Sequence, residues 1–125
     1  MQDFQLDIVT PYGEIFNGRV SSVYFPGKDG EFGILPGHCD MFSLLQTGVI
    51  EIRYQSGHDL VAINWGYVEI AGDKVTVLAD GAVCVKSGGG KSQVAKALEQ
   101  AKQLLEGASS DTVILDSALR KLKEG

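Results

Sequence analysis

The chain has 125 residues and a net charge of −5 at neutral pH, and 44% of its residues are hydrophobic. This length fits one domain with a single core, and the apolar content is too high for a disordered chain. No apolar run approaches the roughly 20 residues of a membrane-spanning helix, and residues 1–4 lack a signal-peptide pattern. We therefore expect a soluble, cytoplasmic protein that does not insert into a membrane.

The charge is unevenly distributed along the chain. Residues 1–86 carry five basic and eleven acidic side chains, a net −6, whereas residues 87–125 carry six basic and five acidic ones, a net +1. The first part lacks the cationic surface that nucleic-acid binding requires. Near the end of the chain, Arg120, Lys121 and Lys123 form a basic cluster, which fits either a solvated helix face or contact with an acidic partner.

Residues 4–86 follow the period-two alternation of half-buried strands. Phe4, Leu6 and Ile8 alternate with polar residues before a turn at residues 10–13. Further β-branched runs occupy residues 49–54, 60–65, 67–70, 74–79 and 82–86, with glycine-containing turns between them. Many short strands without a helical pattern between them predict an antiparallel sandwich or barrel. Trp65 and Tyr67 are interpreted as core or edge aromatics.

Residues 26–38 interrupt this pattern with four glycines and two prolines. They predict an ordered loop at one end of the sandwich, and ordered loops on rigid scaffolds often carry function. Asp29 and Glu31 are interpreted as part of a solvated turn rather than as paired catalytic carboxylates. His38 is interpreted as a surface or hydrogen-bonded histidine.

The pattern changes to a helical one after residue 86. Gly88-Gly89-Gly90 predict a flexible connection over residues 87–91, followed by a helical hairpin over residues 92–125. Ser92 is a candidate N-cap and Gly107 a candidate C-terminal cap of the first helix. Residues 109–111 can start the second helix, and so short a connection predicts an antiparallel pair. The apolar residues recur every three or four positions: Val94, Ala97, Leu98, Ala101, Leu104, Leu105, Leu115, Ala118, Leu119 and Leu122.

The sequence contains no convincing catalytic or metal-binding motif. Gly90-Lys91-Ser92 would close a phosphate-binding loop, but the position of its first glycine holds Val85 and the surrounding pattern is all-β. His38 and His58 have no metal-ligand spacing. Cys39 and Cys84 fit buried free thiols, and a disulfide stays possible. We therefore predict a protein without enzymatic activity, metal or cofactor.

The sequence resembles a known family. Ile8-Val9-Thr10-Pro11, residues 13–18 and residues 26–38 match, in order and spacing, the N-terminal part of the epsilon subunit of bacterial rotary ATP synthases. The run Asp29-Gly30-Glu31-Phe32-Gly33-Ile34-Leu35-Pro36-Gly37-His38 is the most specific portion. Residues 47–52 and 75–80 match later portions of the same family.

The resemblance implies a flattened sandwich of two five-stranded sheets, ten strands in all, followed by an antiparallel two-helix hairpin. It implies a non-catalytic subunit of the central stalk, in which the sandwich (residues 1–86) contacts the gamma subunit and the ring of c subunits. Glu31 and His38 would lie near that ring. The implied location is peripheral, on the cytoplasmic face of the inner membrane.

The resemblance also implies a regulatory hairpin that inhibits ATP hydrolysis when it extends. Arg120, Lys121 and Lys123 would then meet acidic residues of the catalytic alpha and beta subunits. Some members bind ATP through a motif Ile/Leu-Asp-x-x-Arg-Ala. Here Leu115-Asp116-Ser117-Ala118-Leu119-Arg120 places Leu119 at the arginine position, so an ATP site at Asp116 and Arg120 is not expected. The chain ends at Gly125, which predicts a second helix with a short reach. A stand-alone ATP-sensing module is the alternative.

Overall fold

The computed structural model describes residues 3–86 and 88–124, and within them ten strands precede two helices. Ser87, which opens the predicted connection, and Gly125, which ends the predicted hairpin, lie outside the described residues, as do residues 1 and 2. The strands are Phe4–Thr10 (β1), Gly13–Val20 (β2), Ser22–Phe25 (β3), Phe32–Ile34 (β4), Met41–Leu45 (β5), Gly48–Tyr54 (β6), Gly57–Ile63 (β7), Gly66–Ala71 (β8), Lys74–Ala79 (β9) and Ala82–Lys86 (β10). The helices are Lys91–Ala108 (α1) and Thr112–Glu124 (α2).

The strands form two five-stranded sheets, which confirms the predicted sandwich. Sheet I has the order β2-β1-β9-β8-β5, and sheet II has the order β10-β7-β6-β3-β4. Neighbouring strands are antiparallel except for β1 and β9, which pair in parallel with Leu6 opposite Val75. The prediction of a wholly antiparallel sandwich is wrong at this pair. The long stretch of chain between β1 and β9 supplies the crossover that a parallel pair requires.

The main core lies between the two sheets. Its side chains come from alternate positions of the strands, such as Leu6 and Ile8 of β1 and Val75 and Val77 of β9, and all four are fully buried. The period-two pattern of the sequence therefore has the expected physical cause, because alternate side chains of a strand point to opposite faces.

Sheet II is buried on both of its faces over β10, β7 and β6. One face contributes to the main core, and the other packs against both helices in a second apolar cluster. For this reason residues 60–63 of β7 are all buried, and the sequence shows an apolar run there instead of alternation. The second cluster consists of Val49, Leu60, Ala62 and Val85 from the sheet and Ala101, Leu105, Ala118 and Leu122 from the helices.

The ends of α1 differ from the sequence prediction. The N-cap is Gly90 and not Ser92, and no side chain caps this end. Gly107 lies inside α1, which ends at Ala108 because Ser109 turns into an extended conformation, with φ −145° and ψ 142°. The prediction for α2 is confirmed, because the Asp111 carboxylate accepts hydrogen bonds from the amides of Val113 (2.9 Å) and Ile114 (3.3 Å).

The segment of residues 26–38 spans the sandwich along its length and is not confined to one end, so that prediction is wrong. At its start, Gly27 bridges Leu45, at the end of sheet I where Gly66 pairs with Ala79. The short strand β4 then pairs with β3 and runs towards the opposite end. There His38 contacts Phe4, at the start of β1.

Candidate functional site

The two residues predicted to contact the c-ring, Glu31 and His38, lie on opposite sides of β4. Glu31 belongs to a tight turn in which the Gly30 amide donates to the Gly27 carbonyl (3.1 Å) and Gly30 has φ +128°. This left-handed conformation is one that L side chains rarely adopt, which explains the glycine. Strand β4 and the turn at residues 35–38 therefore separate Glu31 from His38 along the sandwich.

The His38 side chain holds its own turn together. Its Nδ1 lies 2.7 Å from the Leu35 carbonyl oxygen, so Nδ1–H is the donor, and its ring meets the Phe4 ring edge-on at 5.3 Å. Nε2 is buried and has no hydrogen-bond partner. The ring therefore faces the sandwich rather than a partner, and its geometry is that of a residue that positions residues 35–38.

The Glu31 side chain forms an ion pair with Lys121 of α2. Lys121 Nζ also lies 3.5 Å from Glu51 Oε2 of β6. The Lys121 side chain is only 18% exposed, and this burial lowers the pKa of its ammonium from the ordinary value. The sequence interpretation of Glu31 as part of a solvated turn thus missed its partner, which is 90 residues away along the chain.

The three basic residues predicted to meet acidic partners do not share one face. Arg120 and Lys123 are exposed, whereas Lys121 points towards the sandwich. Successive side chains on a helix are separated by about 100 degrees, so a run of basic residues cannot face one direction. Only Arg120 and Lys123 are free to meet another protein while the hairpin packs on the sandwich.

Asp116 and Arg120, the residues considered for ATP sensing, are four positions apart on the exposed side of α2. The opposite side of α2 carries the buried residues Ala118 and Leu122. Neither Asp116 nor Arg120 lines the groove between α2 and the sandwich or the groove between α2 and α1. Both side chains therefore lie on the solvent-exposed surface of α2.

An apolar surface that the sequence analysis missed covers the outward face of sheet I. Leu44, Tyr67 and Leu78 pair directly across β5, β8 and β9, and the Phe42 ring lies 5.2 Å from the Tyr67 ring. We call Phe42, Leu44, Tyr67 and Leu78 the outer apolar face. Phe42 is 59% exposed, Leu44 49% and Leu78 39%.

A sequence signal for this face exists. In β8 and β9, the side chains that point into the core are those of Val68, Ile70, Val75 and Val77. Tyr67 and Leu78 therefore point to the outward face of the sheet, where polar residues are normal if that face is solvated. Trp65 is exposed in the adjacent β7–β8 turn, so of the two interpretations given to it, core or edge aromatic, the core one is wrong.

Two further properties concern the described residues alone. Neither helix in residues 3–86 and 88–124 is long and apolar enough to cross a membrane. Within the same ranges, His, Cys, Asp and Glu side chains do not gather into a group that could hold a metal ion. Cys39 and Cys84 are both free thiols, and burial raises the pKa of Cys84 to about 11.

Comparison with known proteins identifies the family. The family model for the ATP synthase Delta/Epsilon chain beta-sandwich domain matches residues 3–85. The chain is also 48% identical to the ATP synthase epsilon chain of Campylobacter curvus, over 98% of this chain and 95% of that relative. The chain belongs to the ATP synthase epsilon chain family. Another epsilon chain, from Helicobacter pylori strain P12, is 45% identical over 95% of both chains.

Solved structures share the fold of this epsilon-family chain. A chain of the Euglena gracilis mitochondrial ATP synthase OSCP/F1/c-ring structure superposes with a TM-score of 0.63 at 24% identity, and the match covers 97% of this chain and 78% of that one. A chain of the Tetrahymena thermophila mitochondrial ATP synthase central stalk/c-ring structure gives 0.54 at 17% identity, over 87% of this chain and 98% of that one. These similarities are to the fold, with the sandwich and the helices together.

Proposed function

We propose that this chain is a non-catalytic subunit of the central stalk, which turns with the rotor and couples rotation to ATP synthesis on other subunits. It would lie peripherally on the cytoplasmic face of the inner membrane. Membership of the epsilon chain family supports this role. The two structures of similar fold also support it, because one is of an OSCP/F1/c-ring assembly and the other of a central stalk with its c-ring. The observation that carries the proposal is the outer apolar face.

The outer apolar face is the proposed binding surface for the gamma subunit. The helices cover the outward face of sheet II, whereas the outward face of sheet I keeps Phe42, Leu44, Tyr67 and Leu78 at its surface. A contiguous apolar patch of this kind indicates a protein–protein interface. Its aromatic pair, Phe42 and Tyr67, is of the type that contributes most of the binding free energy in such interfaces.

Co-isolation tests this part of the proposal. A tagged chain expressed in its own organism should retain the gamma subunit after extensive washing in mild detergent. The double variant Leu44→Asp/Tyr67→Asp should lose gamma, because the interface would have to bury two unpaired carboxylates. Both chains should unfold cooperatively, since these side chains lie outside the main core. A wild-type chain that never retains gamma would refute the proposal.

The turn at residues 27–31 is the proposed contact with the c-ring. It presents a carboxylate, Glu31, from a rigid glycine-containing turn, and the Glu31 side chain is 53% exposed. His38 is assigned a positioning role because its ring faces Phe4. Glu31→Gln should weaken ATP-driven proton pumping by the assembled complex more than Glu51→Gln does. Glu51 is the matched control because its carboxylate also lies beside Lys121 but comes from β6.

The hairpin is the proposed regulatory element. In this structure the hairpin packs on sheet II. Its basic residues Arg120 and Lys123 lie on the exposed side of α2, where they are available to acidic surfaces of the catalytic subunits both in this packed position and after α2 leaves the sandwich. Truncation after Ser110 removes α2 and keeps α1 over the apolar cluster. This truncation should raise the ATP hydrolysis rate of the complex as much as truncation after Lys86 does. An unchanged rate in both would leave the hairpin with a structural role only.

A further inference from the structure

The position of Lys121 suggests a function that the apolar packing of α2 does not explain. Lys121 lies on the side of α2 that faces the sandwich, next to the buried Leu122. Its ammonium group pairs with Glu31 from the turn after β3 and lies 3.5 Å from Glu51 of β6. One helix side chain thus joins two carboxylates from two different parts of the sandwich.

The apolar attachment of α2 is small. Among residues 112–123, only Ala118 and Leu122 are buried, and Leu115 and Leu119 pack against the same cluster while partly exposed. A groove of about 400 Å³ separates α2 from α1, lined by Ala95 and Leu98 on one side and Leu119 and Leu122 on the other. Isolated helices of this length are marginal in water, so α2 depends on its contacts with the sandwich. The ion pairs of Lys121 add two charged contacts to this limited apolar attachment.

The two carboxylates leave the attachment specific but weak. Removing an ammonium from water costs free energy, and the attraction of nearby carboxylates offsets that cost. Glu31 is 53% exposed and Glu51 33% exposed, so both can be solvated again when Lys121 withdraws. An attachment of this kind can open without leaving a buried unpaired charge on the sandwich.

We propose that Lys121 is a latch that holds α2 on the sandwich through Glu31 and Glu51, and that it links the position of α2 to the turn at residues 27–31. A consequence rests on the proposed function. If a partner engages the Glu31 carboxylate, Lys121 keeps only Glu51, and α2 opens more often. The latch itself is a property of the isolated chain.

Hydrogen–deuterium exchange of the full-length chain tests the latch. Lys121→Glu places three carboxylates together and should make the α2 amides exchange about tenfold faster, while the amides of β6 and β7 keep their rates. Lys123→Glu is the matched control, since it makes the same charge change on the exposed side of the same helix. It should change the α2 rates by less than about twofold.

A double variant with the two charges exchanged decides whether the ion pair itself holds α2. Lys121→Glu/Glu51→Lys restores an oppositely charged pair at the same place and should return α2 exchange to within about threefold of the wild type. Equal effects of Lys121→Glu and Lys123→Glu would overturn the latch, and so would a double variant that stays as fast as Lys121→Glu. Because no other subunit is present, these outcomes are independent of whether the chain binds gamma or the c-ring.

The link to the turn has its own readout in the same experiment. Glu31→Gln and Glu51→Gln should each speed α2 exchange, and the double variant should approach the rate of Lys121→Glu. If Glu31→Gln leaves α2 unchanged, Lys121 pairs functionally with Glu51 alone and the link to the turn is refuted. Raising the salt from about 0.05 M to about 0.5 M should reduce the difference between wild type and variants, because salt screens partly exposed charges.

Discussion

Leu44→Ala on the outer apolar face is expected to weaken binding of the gamma subunit by about three- to twelvefold. Full burial of a leucine side chain contributes about 1.5–3 kcal/mol. Leu44 is already about half buried in the free chain, with 49% of its surface exposed, so the interface can bury only the remaining half. That half corresponds to about 0.7–1.5 kcal/mol, which gives the expected change in Kd.

Isothermal titration of the purified gamma subunit with this chain measures the effect. Val113→Ala is the control, because Val113 is an apolar residue that is 76% exposed on α2, away from sheet I. It should leave the Kd unchanged. A Kd unaffected by Leu44→Ala, or lowered affinity in both variants alike, would refute the assignment of the outer apolar face as the gamma-binding surface.

Three other residues give predictions with simpler assays. Gly66→Ala should lower the free energy of unfolding by about 2 kcal/mol or more in urea, because the added Cβ would clash with the Leu78 carbonyl oxygen. His38→Ala should lower the free energy of unfolding by about 1–2 kcal/mol, through loss of the hydrogen bond to Leu35, and should leave gamma binding unchanged. Cys84 should react with iodoacetamide far more slowly than exposed Cys39 at about pH 8, since a pKa of about 11 leaves only about one thiol in a thousand ionised. The same raised pKa means that the folded state loses stability as the pH rises from about 9 towards 11, because the thiol ionises first in the unfolded chain.

Each of these predictions has an opposite outcome. A fully stable Gly66→Ala variant would mean that β8 and β9 are not as close as the structure has them. If His38→Ala weakened partner binding without lowering stability, His38 would contact the partner directly rather than position its loop. Rapid alkylation of Cys84 in the folded chain would contradict its partial burial against the main core.

The strands and the hairpin could be predicted because their patterns are local. Alternation at Phe4, Leu6 and Ile8 and the apolar spacing through Ala101 and Leu105 depend only on strand and helix geometry. The parallel pairing of β1 with β9 could not be predicted in this way, because it joins residues 69 positions apart, such as Gln5 and Lys74. Long-range pairing depends on the whole topology rather than on local periodicity.

The candidate site was less predictable than the fold. The basic cluster was visible in the sequence, but the rotation of α2 against sheet II decides that Lys121 alone turns towards Glu31 and Glu51. In the sequence, the outer apolar face was visible only through Tyr67 and Leu78, two apolar residues at strand positions that point outward. Its significance depends on the helices covering the other sheet, which only the packed structure reveals.

Cross-linking at Phe42 in the assembled complex tests the central claim most directly. Phe42 is exposed on the outer apolar face, so a photoreactive phenylalanine analogue at this position fits without disturbing the core. If the chain turns with the rotor, illumination should join it to gamma, and the complex should keep its rate of ATP hydrolysis because the two subunits rotate together. A cross-link to a stationary catalytic subunit, or loss of hydrolysis on forming the gamma adduct, would contradict the account.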